Sequence, residues 1–226
     1  MSVKETVLIT GGQRGLGLEL ARQFRDDGFH VIAAGRHASM GEAGLEPLLL
    51  DLASDQSIAG VSASLAGRPI DILVHNAALR GAVDGLDAVE RADFLATMTV
   101  NAYAPLVLTR ALMPNIERGT RKLVAMISSR AGSNAEGHVG NEDGDYAYRM
   151  SKAALNMATT KLAHDLRLRQ VAVIAFHPGW VRTDMGGADA PLGMDESARG
   201  LKALMLASTL ADTARFRTHD GQDIGW

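Results

Sequence analysis

A doubly wound α/β fold, one domain built on a parallel sheet of about seven strands with helices on both faces, is predicted by three observations. Short apolar runs rich in β-branched residues alternate with amphipathic segments along nearly all of the 226 residues. The first run ends in a cluster of glycines that opens a helical stripe. No linker, internal repeat or low-complexity tract divides the chain, and its length suits one domain (1–226) with a full core. Such alternation implies right-handed crossovers that place helices on both sides of parallel strands.

Strands are read at 7–10, 30–34, 48–50, 70–75, 123–127 and 171–176, with a weaker one at 214–218. Their continuous apolar character fits strands buried on both faces. Helical patterns fall at 16–25, 56–65, 88–113, 147–168 and 195–207. The first of these places Leu16, Leu20 and Phe24 at steps of four, a single apolar stripe. From Arg36 to the third strand only about a dozen residues remain, with Gly41, Gly44 and Pro47 among them. The helix in this crossover is therefore one or two turns at most, and that side of the sheet is thinly covered. The glycine-rich stretches 133–145 and 186–193 read as surface loops. Both precede helices in the second half, so loops at about 133–147 and 185–200 are the candidates for shaping a substrate pocket.

Composition excludes several classes. A formal charge of −3, with no run of Lys and Arg, gives no footprint for nucleic acid. Without cysteine there is no disulfide, thiolate nucleophile or sulfur-bound metal. The seven histidines never fall within one helical turn of each other, so no metal site is expected. No apolar run reaches membrane-spanning length, and the first strand begins too early for a signal peptide. The expectation is a soluble cytoplasmic protein with no membrane partner.

The glycine cluster reads Thr10-Gly11-Gly12-Gln13-Arg14-Gly15-Leu16-Gly17. A strand that ends in glycines and starts a helix aims backbone N–H groups and the positive end of the helix dipole at one spot, which suits a pyrophosphate. Gly11 allows the tight turn, while Gly15 and Gly17 allow close approach. No Lys-Ser or Lys-Thr follows the last glycine, so a kinase-like phosphate loop is excluded. The ligand expected is a dinucleotide on a Rossmann-type sheet.

Its identity follows from the end of the second strand, where an acid usually holds a free adenosine ribose. That place reads Ala33-Ala34-Gly35-Arg36, with no acid before Glu42. Arg36, helped by Arg14 in the glycine loop, suits a 2′-phosphate, so NADPH is expected over NADH. The plainer alternative is that both are ordinary exposed arginines.

The chemistry is sought in Tyr148-Arg149-Met150-Ser151-Lys152, where a spacing of four sets phenol and ammonium side by side on a helix. A phenol of pKa near 10 needs a neighbouring positive charge to work at neutral pH, and Lys152 is placed to supply it. Tyr146 competes, but its own fourth neighbour is Met150. The fifth strand ends in Ser128-Ser129, hydroxyls at the carboxyl edge where such sheets meet ligands, although Ser pairs more often cap loops. Asn101 is a polar residue in an apolar helical stretch, able to bend the helix and hold a water beside Lys152.

Together these motifs resemble the short-chain dehydrogenase/reductase family from Val7 to nearly the end of the chain. They run in order: Thr10 to Gly17, Asp51-Leu52, Asn76-Ala77-Ala78, Asn101, Ser129-x-x-Gly132, Tyr148-x-x-x-Lys152 and Pro178-Gly179-Trp180-Val181-x-Thr183. The phrases from Tyr146 to Asn156 and from His177 to Gly187, with the tail from Asp220 to Trp226, look like the C-factor and sniffer branch of carbonyl reductases. The resemblance implies that Ser129 is the catalytic serine, Tyr148 the proton donor or acceptor, Lys152 a holder of the nicotinamide ribose and Asn101 the support of a proton relay. It implies cofactor contacts from Gly11, Gln13, Arg14, Gly15, Leu16, Gly17, Arg36, Asp51, Leu52, Asn76, Ala77 and Ala78. Near the nicotinamide it adds Tyr148, Lys152, Pro178, Gly179, Val181 and Thr183.

The sequence departs from the family pattern at His75-Asn76-Ala77-Ala78, where Asn-Asn-Ala-Gly is usual, in the short crossover before Leu48, and in the acidic loop 133–145. The expected reaction is hydride transfer between NADPH and a small carbonyl compound or secondary alcohol. A homodimer or homotetramer through helices 88–113 and 147–168 is a family expectation. One alternative is an NADP-holding signalling or sensor protein like C-factor. Another is a cofactor-free dehalogenase on the same fold, against which Lys152, Gly11, Gly15 and Gly17 argue. Trp180, Met185, His138 and the loop 186–194 are candidates for the substrate pocket, with plain loop packing as the alternative.

Overall fold

In the structure, a computed structural model describing residues 4–37, 42–136 and 144–226, seven parallel strands pair in the order β3-β2-β1-β4-β5-β6-β7. They are β1 (Thr6–Thr10), β2 (His30–Gly35), β3 (Glu46–Leu49), β4 (Ile72–His75), β5 (Leu123–Ile127), β6 (Ala172–His177) and β7 (Phe216–Thr218). Each matches a strand read from the sequence. Among the described residues six α-helices join them: α1 (Gly15–Asp26), α2 (Asp55–Ser64), α3 (Arg91–Met98), α4 (Ala104–Arg118), α5 (Tyr146–Leu166) and α6 (Met194–Ala207).

Alternation within the strands sorts side chains onto the two faces of the sheet. Leu8, Ile32, Leu73, Val124 and Val173 pack with Ile58 and Val61 of α2, Leu108 and Leu112 of α4 and Leu155 of α5. Val7, Ile9, Val31, Val74 and Ile174 face the other way, against Leu20 and Phe24 of α1 and Leu201 and Met205 of α6. All of these are at most 3 % exposed, which explains the unbroken apolar runs that announced the strands. Leu8 of β1 pairs in register with Ile32 on one side and Leu73 on the other, so β1 is an interior strand of the sheet.

From β1 the chain winds outward first through β2 and β3, then through β4 to β7. The reversal lies between β1 and β4, and a crevice opens there beyond their carboxyl ends. The β2–β3 crossover shows a turn and no helix among its described residues. β3 is correspondingly half-exposed, with Leu49 59 % exposed, in keeping with the thin cover expected on that side.

The helical segment read as 88–113 is not continuous. A 3₁₀ turn (Leu86–Ala88) precedes α3, and a π-helical stretch (Thr99–Tyr103) separates α3 from α4. α4 also continues past Pro114 to Arg118. Pro114 lies on the solvent side of the helix, as does Arg110 four residues back, whose carbonyl loses its helical donor there.

Candidate active site

A cleft of about 750 Å³ opens at the carboxyl edge of the sheet, over the β1–β4 reversal. One end is formed by the glycine loop. Gly11 and Gly15 have φ of 65° and 54°, a left-handed conformation that favours glycine. A Cβ on Gly17 would collide with the Gly11 carbonyl and the Asn76 side-chain amide, so α1 starts directly against the backbone of the loop and the Asn76 side chain. A Cβ on Gly15 would meet nothing within 4 Å. The N-cap of α1, Arg14, makes no side-chain capping bond, so the first amides of the helix are left for another acceptor. These features fit the pyrophosphate expected from the sequence.

The loop is held by its own side chains. The Thr10 hydroxyl accepts from the Asn76 and Ala77 amides at 3.0 and 3.2 Å, and Asn76 Nδ2 donates to the Thr10 carbonyl at 3.0 Å. Gln13 is buried, donating through Nε2 to the Ala33 carbonyl and accepting from the His37 amide. Both side chains fasten the loop to its neighbouring strands. Leu16, Asp51, Leu52, Ala77 and Ala78 also line the cleft.

Arg36 is exposed at the end of β2 and lines the same cleft. Glu42, the nearest acid in sequence, is engaged by Arg22 at 2.8 Å and Arg25 at 2.9 Å, hydrogen bonds that hold its carboxyl below the usual range. It is thus committed away from a ribose. Arg14 spans the cleft to Asp184 at 3.4 Å, with both side chains exposed. An ion pair so open to solvent is worth little, and a phosphate competes for Arg14 at small cost.

The other end of the cleft carries Ser129, Tyr148 and Lys152. Ser129 follows β5, and its hydroxyl accepts from the Ala131 amide at 3.2 Å. Ser128 is buried, donating to Asn156 Oδ1 at 2.6 Å. The pair is therefore divided, with Ser128 tied to α5 and Ser129 lining the cleft beside Tyr148. Burial raises that phenol above its usual pKa, and the neighbouring Ser129 acts in the opposite direction. Tyr146 is 43 % exposed and outside this cleft.

Lys152 is buried, with Nζ donating to the Ile127 carbonyl at 2.8 Å and standing 5.6 Å from the centre of the Tyr148 ring. Burial lowers its pKa to about 8. Arg80 and Arg149 lower the pKa of the Tyr148 phenol through charge, and Asp145 raises it. Asp145 is itself held by Arg149 at 2.6 Å.

Asn101 sits in the π-helical stretch with all its amide functions engaged. Oδ1 accepts from the Leu79 amide at 2.7 Å, while Nδ2 donates to the Leu79 carbonyl at 2.7 Å and to Ser151 Oγ at 2.9 Å. The side chain thus clamps the β4 loop to α5, and the bend expected from Asn101 appears as the π turn. His75 is buried beside Thr109 at 2.9 Å on the far side of β4, and burial keeps it neutral with a pKa lowered to about 3.

Pro178, Gly179, Val181 and Thr183, after β6, close the cleft from above, with Trp180 and Met185 beside them. Trp180 is 58 % exposed and donates through its indole to the Gly186 carbonyl at 2.7 Å. His138 and the middle of the loop 133–145 lie outside the described residues. Arg80, Asp145 and His177 also line the cleft, and the motif reading gave none of them a role. His177 is pushed to a pKa of about 4, first by burial and then by the charges of Arg130 and His219. Its position as the last residue of β6, at the ligand edge of the sheet, was the available signal.

A model of the short chain dehydrogenases matches residues 5–191. The chain belongs to the short-chain dehydrogenase/reductase family. As a member of that family it is an oxidoreductase. Among its relatives, the protein named C-signal from Myxococcus xanthus is 40% identical over 158 residues, covering 70% of this chain and 93% of the relative. Among solved structures, the NADPH-bound carbonyl reductase from chicken fatty liver superposes with a TM-score of 0.91 at 27% identity, covering 99% of this chain and 100% of the other. The carbonyl reductase Sniffer of D. melanogaster gives 0.89 at 26% identity, with the same coverage. The likeness of this short-chain dehydrogenase/reductase to the C-factor and sniffer branch, expected from its motifs, is therefore present in both sequence and fold.

Proposed function

We propose that this short-chain dehydrogenase/reductase is an NADPH-dependent carbonyl reductase, working on a small ketone or aldehyde or, in reverse, on a secondary alcohol. The observation that carries the reading is the joining, in one cleft, of a glycine loop suited to a dinucleotide with Ser129, Tyr148 and Lys152. The likeness to the NADPH-bound carbonyl reductase supports it.

NADPH, when bound, supplies hydride from its nicotinamide. Tyr148 gives its phenolic proton to the carbonyl oxygen, a positioned acid contributing typically ~10² to 10⁴-fold. Ser129 donates a hydrogen bond to the same oxygen as charge develops, for a further ~10² to 10³-fold. Lys152 faces the phenol ring and would hold the nicotinamide ribose, and Asn101 holds the β4 loop in register with α5. Arg14 and Arg36 receive the 2′-phosphate. The loops at about 133–147 and 185–200 shape the substrate pocket.

We place the enzyme in the cytoplasm as a homodimer or homotetramer. Exposed Tyr103 and Leu106 on or beside α4, and Met150 and Met157 on α5, support an interface there. Light scattering that finds a monomer would refute it. Among the described residues no helix is long and apolar enough to cross a membrane. No contact with nucleic acid or a metal is part of the reading.

A second reading, an NADP-holding signalling or sensor protein with weak or no turnover, is favoured by the 40% identity to the protein named C-signal. Retention of Ser129, Tyr148 and Lys152 together favours turnover. A panel of ketones, aldehydes and quinones, followed at the nicotinamide absorbance with NADPH and NADH, separates the two. The reductase reading expects turnover with NADPH ahead of NADH. No turnover with tight NADPH binding leaves the sensor reading, and a preference for NADH removes the roles given to Arg14 and Arg36.

A further inference from the structure

We infer that Asn156 is a positioning residue that sets Ser129 beside Tyr148, by fastening both flanks of the serine to the helix that carries the phenol. The inference deepens the reductase reading and rests on it. Asn156 follows Tyr148 and Lys152 at steps of four, so the three residues share one face of α5. It is 4 % exposed and does not line the cleft. Its Oδ1 accepts from the Ser128 hydroxyl at 2.6 Å, and its Nδ2 donates to the Gly132 carbonyl at 3.0 Å. Ser128 stands one residue before Ser129, and Gly132 ends the 3₁₀ turn (Arg130–Gly132) that follows it. One side chain thus bridges the end of β5 and the end of the turn, with Ser129 between them.

The turn meets α5 where the reacting groups are. A Cβ on Gly132 would lie 2.5 Å from the Lys152 carbonyl carbon and 2.7 Å from the Ala153 nitrogen, so the turn rests on the helix backbone. Within the turn the Ser129 hydroxyl accepts from the Ala131 amide at 3.2 Å, which leaves its own hydrogen to donate. Ser129 is felt at the phenol, since it acts to lower the Tyr148 pKa against the effect of burial. From other directions the turn is held more loosely or beyond its end. The Arg130 amide donates to His177 Nδ1 at 3.4 Å, and the Ser133 hydroxyl donates to the Gly225 carbonyl at 2.5 Å. Loss of the two Asn156 bonds therefore frees the turn on the side that faces α5. A misplacement of about 1 Å at a reacting group costs as much as ~10²-fold in rate.

The test is a double-mutant cycle in kcat between Ser129→Ala and Asn156→Leu, which nearly keeps the side-chain volume and removes both bonds. In the wild-type background, Asn156→Leu is expected to lower kcat by about 10- to 100-fold and to leave KM for NADPH within about threefold. In the Ser129→Ala background it is expected to lower kcat by less than about threefold, because the hydroxyl it positions is gone. Ser128→Ala, which removes one of the two bonds, is expected to give a smaller loss with the same dependence on Ser129. Equal losses in the two backgrounds, or an Asn156→Leu enzyme as fast as wild type, overturn the inference. Should Asn156→Leu fail to fold, the same criteria decide on Ser128→Ala.

A second readout needs no turnover and keeps the two readings apart. The ¹³Cζ resonance of Tyr148 in the free protein, assigned by its absence from Tyr148→Phe, is expected to move in Ser129→Ala. It is expected to move in the same direction in Asn156→Leu and no further in the double variant. If no carbonyl of the panel is reduced while the resonance behaves in this way, the reductase reading fails and the positioning role stands. If carbonyls are reduced while Asn156→Leu leaves both kcat and the resonance unchanged, the reductase stands and the role of Asn156 falls. Neither turnover nor movement removes both.

Discussion

Replacing Lys152 by Met is expected to stabilise the protein at neutral pH and to lose that advantage as pH rises. Lys152 is 2 % exposed, and burial lowers its pKa from 10.5 to about 8. The folded protein then holds the proton less tightly than the unfolded chain, so the stability tied to this group rises with pH between about 8 and 10.5. At about 1.4 kcal/mol per pH unit the whole window amounts to about 3 kcal/mol, roughly two-thirds of it below pH 9.5. Met keeps the stem and carries no charge, but it leaves the Ile127 carbonyl without its 2.8 Å donor, a cost of about 1 kcal/mol. Lys152→Met should therefore be more stable than wild type by about 2 kcal/mol at pH 7 and by about zero at pH 9.5. Urea unfolding of both proteins at pH 7, 8, 9 and 9.5, followed by tryptophan fluorescence, reads the difference directly. A difference that stays constant across this range, or a variant less stable at pH 7, would refute the argument that this ammonium is kept in the fold at a cost in stability.

Asn101→Ala strips the Leu79 amide and carbonyl of their partners and is expected to cost about 2–4 kcal/mol, or a fall in Tm of about 5–15 °C by calorimetry. A loss under ~0.5 kcal/mol would mean that water replaces the clamp. Gly17→Ala puts a methyl group against the Gly11 carbonyl and should weaken NADPH binding at least ~10-fold in a fluorescence titration, through the shift forced on the loop. Arg36→Ala should raise KM for NADPH by about 10- to 100-fold and leave that for NADH nearly unchanged. Equal effects on both cofactors would place Arg36 away from a 2′-phosphate.

Most of the fold is legible in the sequence because its strands are buried on both faces, and a double-sided core writes itself as runs of Val, Ile, Leu and Ala. Legibility fails where a hydrogen bond decides the geometry. The stretch 88–113 keeps a helical period, yet the clamp of Asn101 on Leu79 and Ser151 accompanies a π turn that periodicity does not register. The fourth strand starts two residues later than its apolar run, because the Asp71 carboxylate is turned to the Thr6 amide at 2.7 Å and the Thr120 amide at 2.6 Å. Pro114 reads as a helix end, but its exposed face lets α4 run on.

The glycine loop and the Tyr-Lys spacing carry their own geometry, so they stand out from single-residue noise. Ser129 is separated from Ser128 within the structure only by where each hydroxyl is held, one by the Ala131 amide beside Tyr148 and one by Asn156. Arg80 and Asp145 belong to no spacing rule, and only the closing of the sheet brings them to the cleft.

The most direct test of the account is Tyr148→Phe, which removes one hydroxyl from the cleft wall and leaves the ring packed against Lys152. NADPH affinity by fluorescence titration should stay within about threefold of wild type, while kcat for the best carbonyl of the panel should fall by at least ~10². A Tyr148→Phe enzyme that still turns over at the wild-type rate would contradict the assignment of the proton donor and the reductase mechanism built on it.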